Sequence, residues 1–367
     1  MKTYIVQVNL DIKTIKKAEE TVRFKNVLKT IKSIAKSSNK VVIISHRGRP
    51  TGYDKELSLQ PFRPLLQEAM GTSVGFLPIS DLRLAKILIQ KAEKGSIFLC
   101  ENIRFFPGEE KNSKSFAKEL AELGDFYIND DFATSHRRQA SYVGIPLFLP
   151  SKLGPRFKEE ITILKKVLKK AESPFVLIIG GTKISDKIGV IEKFLPAVDY
   201  ILLGGGAALT LQKAAGIDIG SSIYDEKMLT TAKRLLRDNK IILPIDEVKQ
   251  DDRILDIGPA TVKHYNAILK TAKTIIWAGP MGLVEEKPFM KGTYEIARTI
   301  AKSNAFSIIG GGDTTKVITT LHLEDKFGFV STGGSAMLEF LSGKELPAMT
   351  AIANSKKKYE KNSNFVS

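Results

Sequence analysis

Short runs of β-branched and other apolar residues recur along this chain, and each stops abruptly in glycine, asparagine, aspartate or a polar or charged side chain. In the first half they read YIVQV, VVIIS, SIFLC and DFYIN, with SVGFLP as a further candidate; in the second half they read FVLII, YILLG, KIILP, TIIWA, FSIIG and FGFVS. Runs that stay apolar without alternating suit strands covered on both faces. The stretches between them space their apolar residues as helices do, as in KTIKKAEETVRFKNVLKTIKSIAKSSNK. This strand–helix–strand rhythm predicts an α/β fold of doubly wound parallel sheets. So many strands divide more readily between two sheets than into one, so two lobes are expected.

At 367 residues the chain can bury two cores. Between the two sets of strands lies GPRFKEEITILKKVLKKAESP, where Ile161, Leu164, Val167 and Leu168 share a helical face and Pro174 closes the segment. The pattern predicts a helix over 156–172 joining a lobe of residues 1–155 to a lobe of residues 173–345, with a cleft between the lobes. Residues 346–353 are expected to return to the first lobe. Residues 354–367, lysine-rich and aperiodic, read as a flexible basic tail. No run reaches the roughly 18 apolar residues of a membrane span. MKTYIVQVNLD meets Asn and Asp before any signal-like apolar region develops. Cys100 is the single cysteine, which rules out an internal disulfide, reads as a buried thiol and fits a reducing cytoplasm. The formal net charge of +16 invites nucleic acid or acidic ligands. The lysines, however, fall on solvated helix faces without interleaved aromatics or a nucleic-acid motif, so neither nucleic acid nor membrane is expected as a partner.

Ligands of open α/β sheets bind beyond the carboxyl ends of the strands. In the first half those ends carry His46, Arg47, Arg49, Asn102, Arg104, Asn129, Asp130, Asp131, His136 and Arg137. Arginine forks grip carboxylate and phosphate at two points, and Arg23 in TVRFKNVLKTI adds another. In the second half the ends carry glycines, in IIGGTK, LLGGGAA, IWAGPMG, SIIGGGDTT and VSTGGSA. Glycine lets the backbone approach a ligand, and a following helix N-terminus offers unpaired N–H groups to an anion. Asp313 would either cap such a helix or hold Mg²⁺ on a phosphate. Lys183 and Lys187, four apart, are read as sharing one face near a helix start, where phosphate would account for two cations. There is no P-loop motif and no GxGxxG fingerprint. His264 and His322 have no such setting.

The set SHRGRP, ENIRFFPGEEKN, NDDFATSHR, GGTKISDKIGVI, WAGPMG, IIGGGDTT and STGGSAMLEFLSGKELP closely resembles phosphoglycerate kinase, in order, from about Tyr4 to Ala351. The resemblance implies reversible phosphoryl transfer from 1,3-bisphosphoglycerate to Mg-ADP, giving 3-phosphoglycerate and ATP, by a cytoplasmic monomer. It implies that the N-lobe binds the glycerate and the C-lobe the nucleotide. His46, Arg49, Arg104 and Arg137 would hold the carboxylate and 3-phosphate, and Asn9 and Asp11 the hydroxyl. Arg23 would face the phosphoryl group in flight, with Lys183 and Lys187 approaching from the nucleotide side. Gly205, Pro280 and Glu285 would contact the nucleoside, Glu285 reaching the ribose. Gly311, Gly312 and Thr314 would wrap the phosphates, Asp313 would position Mg²⁺, and Gly333 and Gly334 would present a second helix N-terminus to the transferring group. Catalysis by such a site is positioning and electrostatics, with water excluded.

Five places depart from the family pattern. Its Arg-x-Asp-x-Asn-x-Pro appears here as Gln7, Asn9, Asp11 and Lys13, which sets an Asp11 carboxylate near an anion. Gln139 replaces a usual His, and Ala278 replaces the Asn of WNGP. The connection LPIDEVKQDDRILDIGPAT is shorter than usual, which bears on nucleotide choice. Arg47 stands where the family more often has an apolar residue and is expected to face solvent. The alternative reading is a divergent relative of weak activity kept as a binding or regulatory module.

Overall fold

The structure, a computed structural model, describes all residues except 1, 36, 37, 79, 80, 183 and 362–367. The chain divides into two compact units: one runs through Ile161 and takes up the chain again from Glu345, and the other comprises Thr162–Lys344. Each is built on a six-stranded, wholly parallel sheet.

In the first unit the strands are β1 (Thr3–Gln7), β2 (Lys40–Ile44), β3 (Val74–Leu77), β4 (Ile97–Cys100), β5 (Phe126–Asn129) and β6 (Ser151–Leu153), in the order β3-β4-β2-β1-β5-β6. Helices α1 (Val22–Ala35), α2 (Phe62–Met70), α3 (Leu82–Lys91), α4 (Pro107–Glu110) and α5 (Lys114–Ala121) fall between them. β2 shows why the continuous apolar runs become strands. Val42 and Ile44 point into the core beneath α3 and α5, and Val41 and Ile43 into the core beneath α1 and α2. A strand buried on both faces has no polar position to offer. Gln7 is in register with Ile44 on one side and Asn129 on the other, so the loops after β2, β1 and β5 leave one edge of the sheet together.

Helix α6 (Pro155–Lys170) follows, and the division between the units falls within it. Asp130 accepts from the Phe157 N–H at 3.0 Å near its start, and Phe132 meets Phe157 edge-on.

The second unit holds β7 (Phe175–Ile179), β8 (Tyr200–Leu203), β9 (Ile241–Ile242), β10 (Glu247–Gln250), β11 (Arg253–Ile257), β12 (Thr274–Ala278), β13 (Phe306–Gly310) and β14 (Phe329–Val330). Its sheet order is β14-β13-β12-β7-β8-β9, and β10 and β11 form a separate antiparallel hairpin. The hairpin turn places Asp251 and Asp252 both at positive φ, the geometry of a tight two-residue turn that aspartate tolerates. The helices are α7 (Ile188–Phe194), α8 (Gly205–Ala214), α9 (Leu229–Leu235), α10 (Pro259–Thr271), α11 (Lys291–Lys302), α12 (Gly312–Thr320) and α13 (Gly334–Leu341). Ala278 is in register with both Ile179 and Gly310, so the glycine turns after β7, β12 and β13 also meet at one edge.

The last element among the described residues is α14 (Pro347–Lys361), packed on the first unit. This differs from the tail expected from residue 354 onward. Ala348, Ile352 and Ser355 recur at helical spacing and are buried, and the Ser355 hydroxyl donates to the Leu149 carbonyl at 2.7 Å. The rest of the expected tail, 362–367, lies outside the described residues. Among the described residues no helix is long and apolar enough to cross a membrane.

Candidate functional site

Because β4, β2, β1 and β5 are neighbours, the loops that leave their carboxyl ends are neighbours too. His46, two residues past β2, is buried with its Nδ1 3.3 Å from the Tyr142 hydroxyl. That hydroxyl donates to Asp131 Oδ2 at 2.6 Å and accepts from Gln7 Nε2 at 3.0 Å. Asn9 Nδ2 reaches the other Asp131 oxygen at 3.0 Å. Asp131 and Tyr142 thus set the orientation of His46 and Asn9, and neither faces a ligand alone. Burial, reinforced by the guanidinium of Arg104, pulls the His46 pKa well below its ordinary value; Arg23 and Arg137 push the same way and Asp11 opposes them. His46 is therefore neutral at pH 7, in a pocket that three arginines charge positively.

Asn102, after β4, ties two loops together. Its Oδ1 accepts from the N–H groups of Arg47 and Arg104, and its Nδ2 donates to the carbonyls of Arg47 and Leu57. Arg104 is buried, donates to the Gly48 carbonyl at 2.7 Å, and leaves its Nε without a partner. Arg137 is half-buried, and burial together with Arg104 and Arg49 draws its pKa down, so the three guanidiniums lie close to one another. Among the described residues, none of Arg23, Arg49, Arg104 and Arg137 has a carboxylate within ion-pair distance. Clustered guanidiniums without a counter-charge form a site for an anion.

Two departures, Asp11 in the loop after β1 and Arg47 in the loop after β2, acquire a structural reason. Asp11 does not point a free carboxylate at this cluster: its Oδ1 accepts from the Gly48 N–H at 2.9 Å, and its carbonyl accepts from Arg23 Nη1. Arg47 does not face solvent, as the sequence suggests, but is 7% exposed. Its guanidinium donates to the carbonyls of Ile12 (3.0 Å), Lys13 (2.9 Å), Glu56 (2.6 Å) and Ser58 (3.4 Å). A planar five-donor fork is the side chain suited to gathering several carbonyls from separate loops. Arg47 pins the segment that carries Asp11, and with it the acceptor of Arg23. Gln139 accepts from Arg104 at 3.5 Å and so stays on the edge of the cluster.

In the second unit the glycine turns are packed backbone on backbone. A Cβ on Gly180 would lie 2.0 Å from the Pro280 carbonyl oxygen, one on Gly206 2.1 Å from that of Thr182, and one on Gly334 2.6 Å from Gly311 Cα. Gly312 differs: its Cβ would meet nothing within 4 Å, so no packing within the protein asks for glycine there. It opens α12, whose first N–H groups have no helical partners and face outward where an anion is stabilised. Asp313 is exposed in the same turn. The Thr314 side chain is buried and accepts from the Gly279 N–H at 3.1 Å, which joins the turns after β12 and β13; its main-chain N–H remains at the helix start. Gly334 begins α13 directly against Gly311. Ala278 is buried at the end of β12, and its carbonyl accepts from the Gly180 N–H at 3.0 Å.

Of the two lysines only Lys187 lies within the described residues. α7 begins only at Ile188, with Lys187 as its N-cap, and Lys183 lies outside the described residues. Lys187 is mostly buried and burial lowers its pKa against the pull of Asp186; its Nζ sits beside Gly181. Beside these turns is a cavity of about 230 Å³, lined by Gly205, Pro280, Glu285 and Asp313 together with the aliphatic Leu209, Ile223, Ile254 and Leu255. Ile223 is 60% exposed, an aliphatic wall left open to a ligand. The apolar wall was not read from the sequence, because isolated aliphatics in a polar connection carry no periodicity. Among the described residues no cluster of three or more His, Cys, Asp or Glu is assembled to hold a metal. Asp313 alone at a helix N-terminus is a donor set that suits Mg²⁺ delivered on phosphates, since that ion prefers one or two carboxylates plus phosphate oxygens.

Residues 2–344 match the sequence model of the phosphoglycerate kinase family. The phosphoglycerate kinase of Finegoldia magna is 42% identical over 361 residues, covering 91% of each chain, and that of Dictyoglomus turgidum 41% identical over 355 residues, covering 90% of each. Among solved structures, phosphoglycerate kinase from Pyrococcus horikoshii superposes with a TM-score of 0.85 at 31% identity over 97% of each chain. The enzyme from Coxiella burnetii gives 0.80 at 34% over 96% of each.

Two outcomes follow from the geometry of the first unit. Arg47→Met leaves four carbonyls without their donor and is expected to lower the unfolding free energy by about 2–5 kcal/mol in urea denaturation; a loss under about 0.5 kcal/mol would return Arg47 to solvent. Glu109 in α4 is fully buried and accepts from both the N–H and the hydroxyl of Ser141, beside Tyr142. Burial pushes its carboxyl up from 4.5 to about 7. Its protonated form is the stable one in the fold, so its contribution is complete below pH 4.5 and lost as pH rises through about 7. Denaturation of Glu109→Gln should show the variant gaining on the wild type between pH 5 and pH 7.5 by this linkage; parallel pH profiles would refute the shift.

Proposed function

The chain belongs to the phosphoglycerate kinase family, and on that premise we propose how its own residues carry the family's glycolytic reaction. That reaction is reversible phosphoryl transfer between 1,3-bisphosphoglycerate and ADP, with the carboxyl group of 3-phosphoglycerate as acceptor when it runs backward. His46, Arg49, Arg104 and Arg137 bind the carboxylate and 3-phosphate of the glycerate. The observation that carries this reading is the cluster of guanidiniums with no counter-charge, including an Arg104 Nε left without a partner. Asn9, held by Asp131, and Asp11, held by the Gly48 N–H, meet the hydroxyl side of the glycerate.

Arg23 neutralises charge developing on the phosphoryl group. Its anchor on the Asp11 carbonyl supports that role, because the guanidinium is held before the substrate arrives rather than organised by it. On the nucleotide side, Gly205, Pro280 and Glu285 contact the nucleoside, and Gly311, Gly312 and the Thr314 N–H receive the phosphates. Gly334 brings the start of α13 up to the same turn. Lys187, partly desolvated, holds its charge where it acts on phosphate more strongly than it would in water, and Lys183 is assigned the same side. Asp313 would hold Mg²⁺, which when bound bridges the phosphates and offsets their charge. The protein works as a cytoplasmic monomer; the buried Cys100, its thiol pushed up to about 12, is inert to disulfide chemistry.

A coupled assay with 3-phosphoglycerate, ATP and Mg²⁺ tests this. Arg23→Ala should lower kcat by roughly 10²- to 10³-fold, as loss of one preorganised charge donor does. An Arg23→Ala enzyme within about twofold of wild type would remove Arg23 from the reaction.

A further inference from the structure

His46 is the only imidazole assigned to the anion cluster, and an imidazole meets an anion favourably only through an N–H. Its hydrogen bonds decide which nitrogen carries that hydrogen. The Tyr142 hydroxyl has a single proton, and the 2.6 Å bond to Asp131 Oδ2 uses it, because a carboxylate only accepts. The other Asp131 oxygen accepts in the same way, from Asn9 Nδ2 and from the Thr134 N–H. Toward His46 Nδ1, 3.3 Å away, the Tyr142 oxygen is left as an acceptor, so Nδ1 is the protonated nitrogen of the neutral ring. Nε2 then carries the lone pair. It has no hydrogen-bond partner among the described residues and is not one of the polar atoms sealed from solvent, so it is the nitrogen open to a ligand. A lone pair facing an oxyanion repels it. The neutral ring is therefore in the wrong protonation state for the ligand that its arginine neighbours select.

We propose that Tyr142, committed to Asp131, is a positioning residue that keeps the neutral His46 ring in its Nδ1–H form, and that His46 takes up a proton on Nε2 as the glycerate anion enters. The inference rests on the reading of the guanidinium cluster as the glycerate site. The groups facing His46 account for both states. Before the anion binds, burial and the charge of Arg104, joined by Arg23 and Arg137, hold the ring neutral against the pull of Asp11. An arriving phosphate or carboxylate offsets those arginines and adds negative charge at Nε2, which favours the imidazolium. On the other side of the ring the Asp131 carboxylate lies 3.9 Å from Nδ1, within ion-pair range once the ring is charged. The proton comes from solvent, and it converts a lone pair facing the anion into a charge-assisted N–H donor.

Calorimetric titration of the full chain with 3-phosphoglycerate at about pH 7.5, in buffers of different ionisation enthalpy, reads the proton directly. A phosphate ester has its second pKa near about 6, so the ligand is already a dianion there and supplies no proton. Wild type should take up about 0.5–1 proton per ligand bound, and His46→Gln almost none. Glu109, its carboxyl pushed up to about 7, is another group able to bind a proton in this range, so Glu109→Gln should retain the uptake. Imidazole nitrogen chemical shifts, tractable in a chain with four histidines, should show His46 as the Nδ1–H ring alone and as the imidazolium with ligand; Tyr142→Phe should lose the preference for Nδ1–H. Uptake below about 0.2 proton, uptake that survives in His46→Gln or vanishes in Glu109→Gln, or an Nε2–H ring in the ligand-free wild type overturns the proposal, whether or not Tyr142→Phe folds. An unchanged Nδ1–H ring in folded Tyr142→Phe removes Tyr142 from the role. If 3-phosphoglycerate does not bind the wild type, the glycerate-site reading falls and the proposal with it, a result distinct from binding without uptake.

Discussion

Arginine guanidiniums drawn out of water with no carboxylate to meet them are the constraint on which the first unit depends. Arg47 and Arg104 are both buried, and each is compensated differently. Arg47 is saturated by four main-chain carbonyls, so its charge is spent on holding loops together. Arg104 leaves its Nε without a partner and lies close enough to Arg137 to act on its charge, so its own charge is left for something that is not protein. An uncompensated group of this kind persists only where the surrounding fold holds it, and here a shell of hydrogen bonds does so. Asn102 joins the Arg47 and Arg104 loops, Asp131 and Tyr142 aim His46, and Glu109 clamps the turn that carries Tyr142. The affinity for an anion is the counterpart of that cost.

The second unit answers the same problem from the opposite side. It has few charged groups at its strand ends and relies on glycines whose backbones nearly touch, so that helix N-termini and a lysine N-cap converge on one edge of the sheet. Most of those glycines are required by the protein's own packing. Gly312, with open space where a Cβ would stand, is the exception, and it occurs where the exposed Asp313 begins its helix. Backbone N–H groups beside an exposed carboxylate suit a polyphosphate, whereas the guanidinium cluster suits a compact anion.

The strands were legible because short continuous apolar runs bounded by glycine and polar residues suit strands buried on both faces, and their register brings the loops together. What escaped the sequence is what lacks a period. β6 is three residues with only partial burial, and the β10–β11 hairpin is polar and closed by two aspartates. α14 hides its buried stripe of Ala348, Ile352 and Ser355 under a run of lysines. Among the site residues, His46, Arg49, Arg104 and Arg137 stood out by residue type and position at strand ends. Arg47 stood out in the same way and is used differently, because four carbonyls shared between two distant segments cannot be foreseen from composition. Tyr142 and Glu109 gave no signal beyond being isolated polar groups. The exchange at Asn9 and Asp11, which looked like a threat to anion binding, is explained by partners on β2 and β5 loops.

The central claim, that the uncompensated guanidiniums form the anion site, is most directly measured by calorimetric titration of 3-phosphoglycerate in the absence of nucleotide. The account expects saturable binding to wild type that weakens as salt rises, and a loss of at least about 30-fold in Arg104→Met, the scale of a desolvated charge pair. Equal affinity in Arg104→Met and wild type, with both folded, would contradict it.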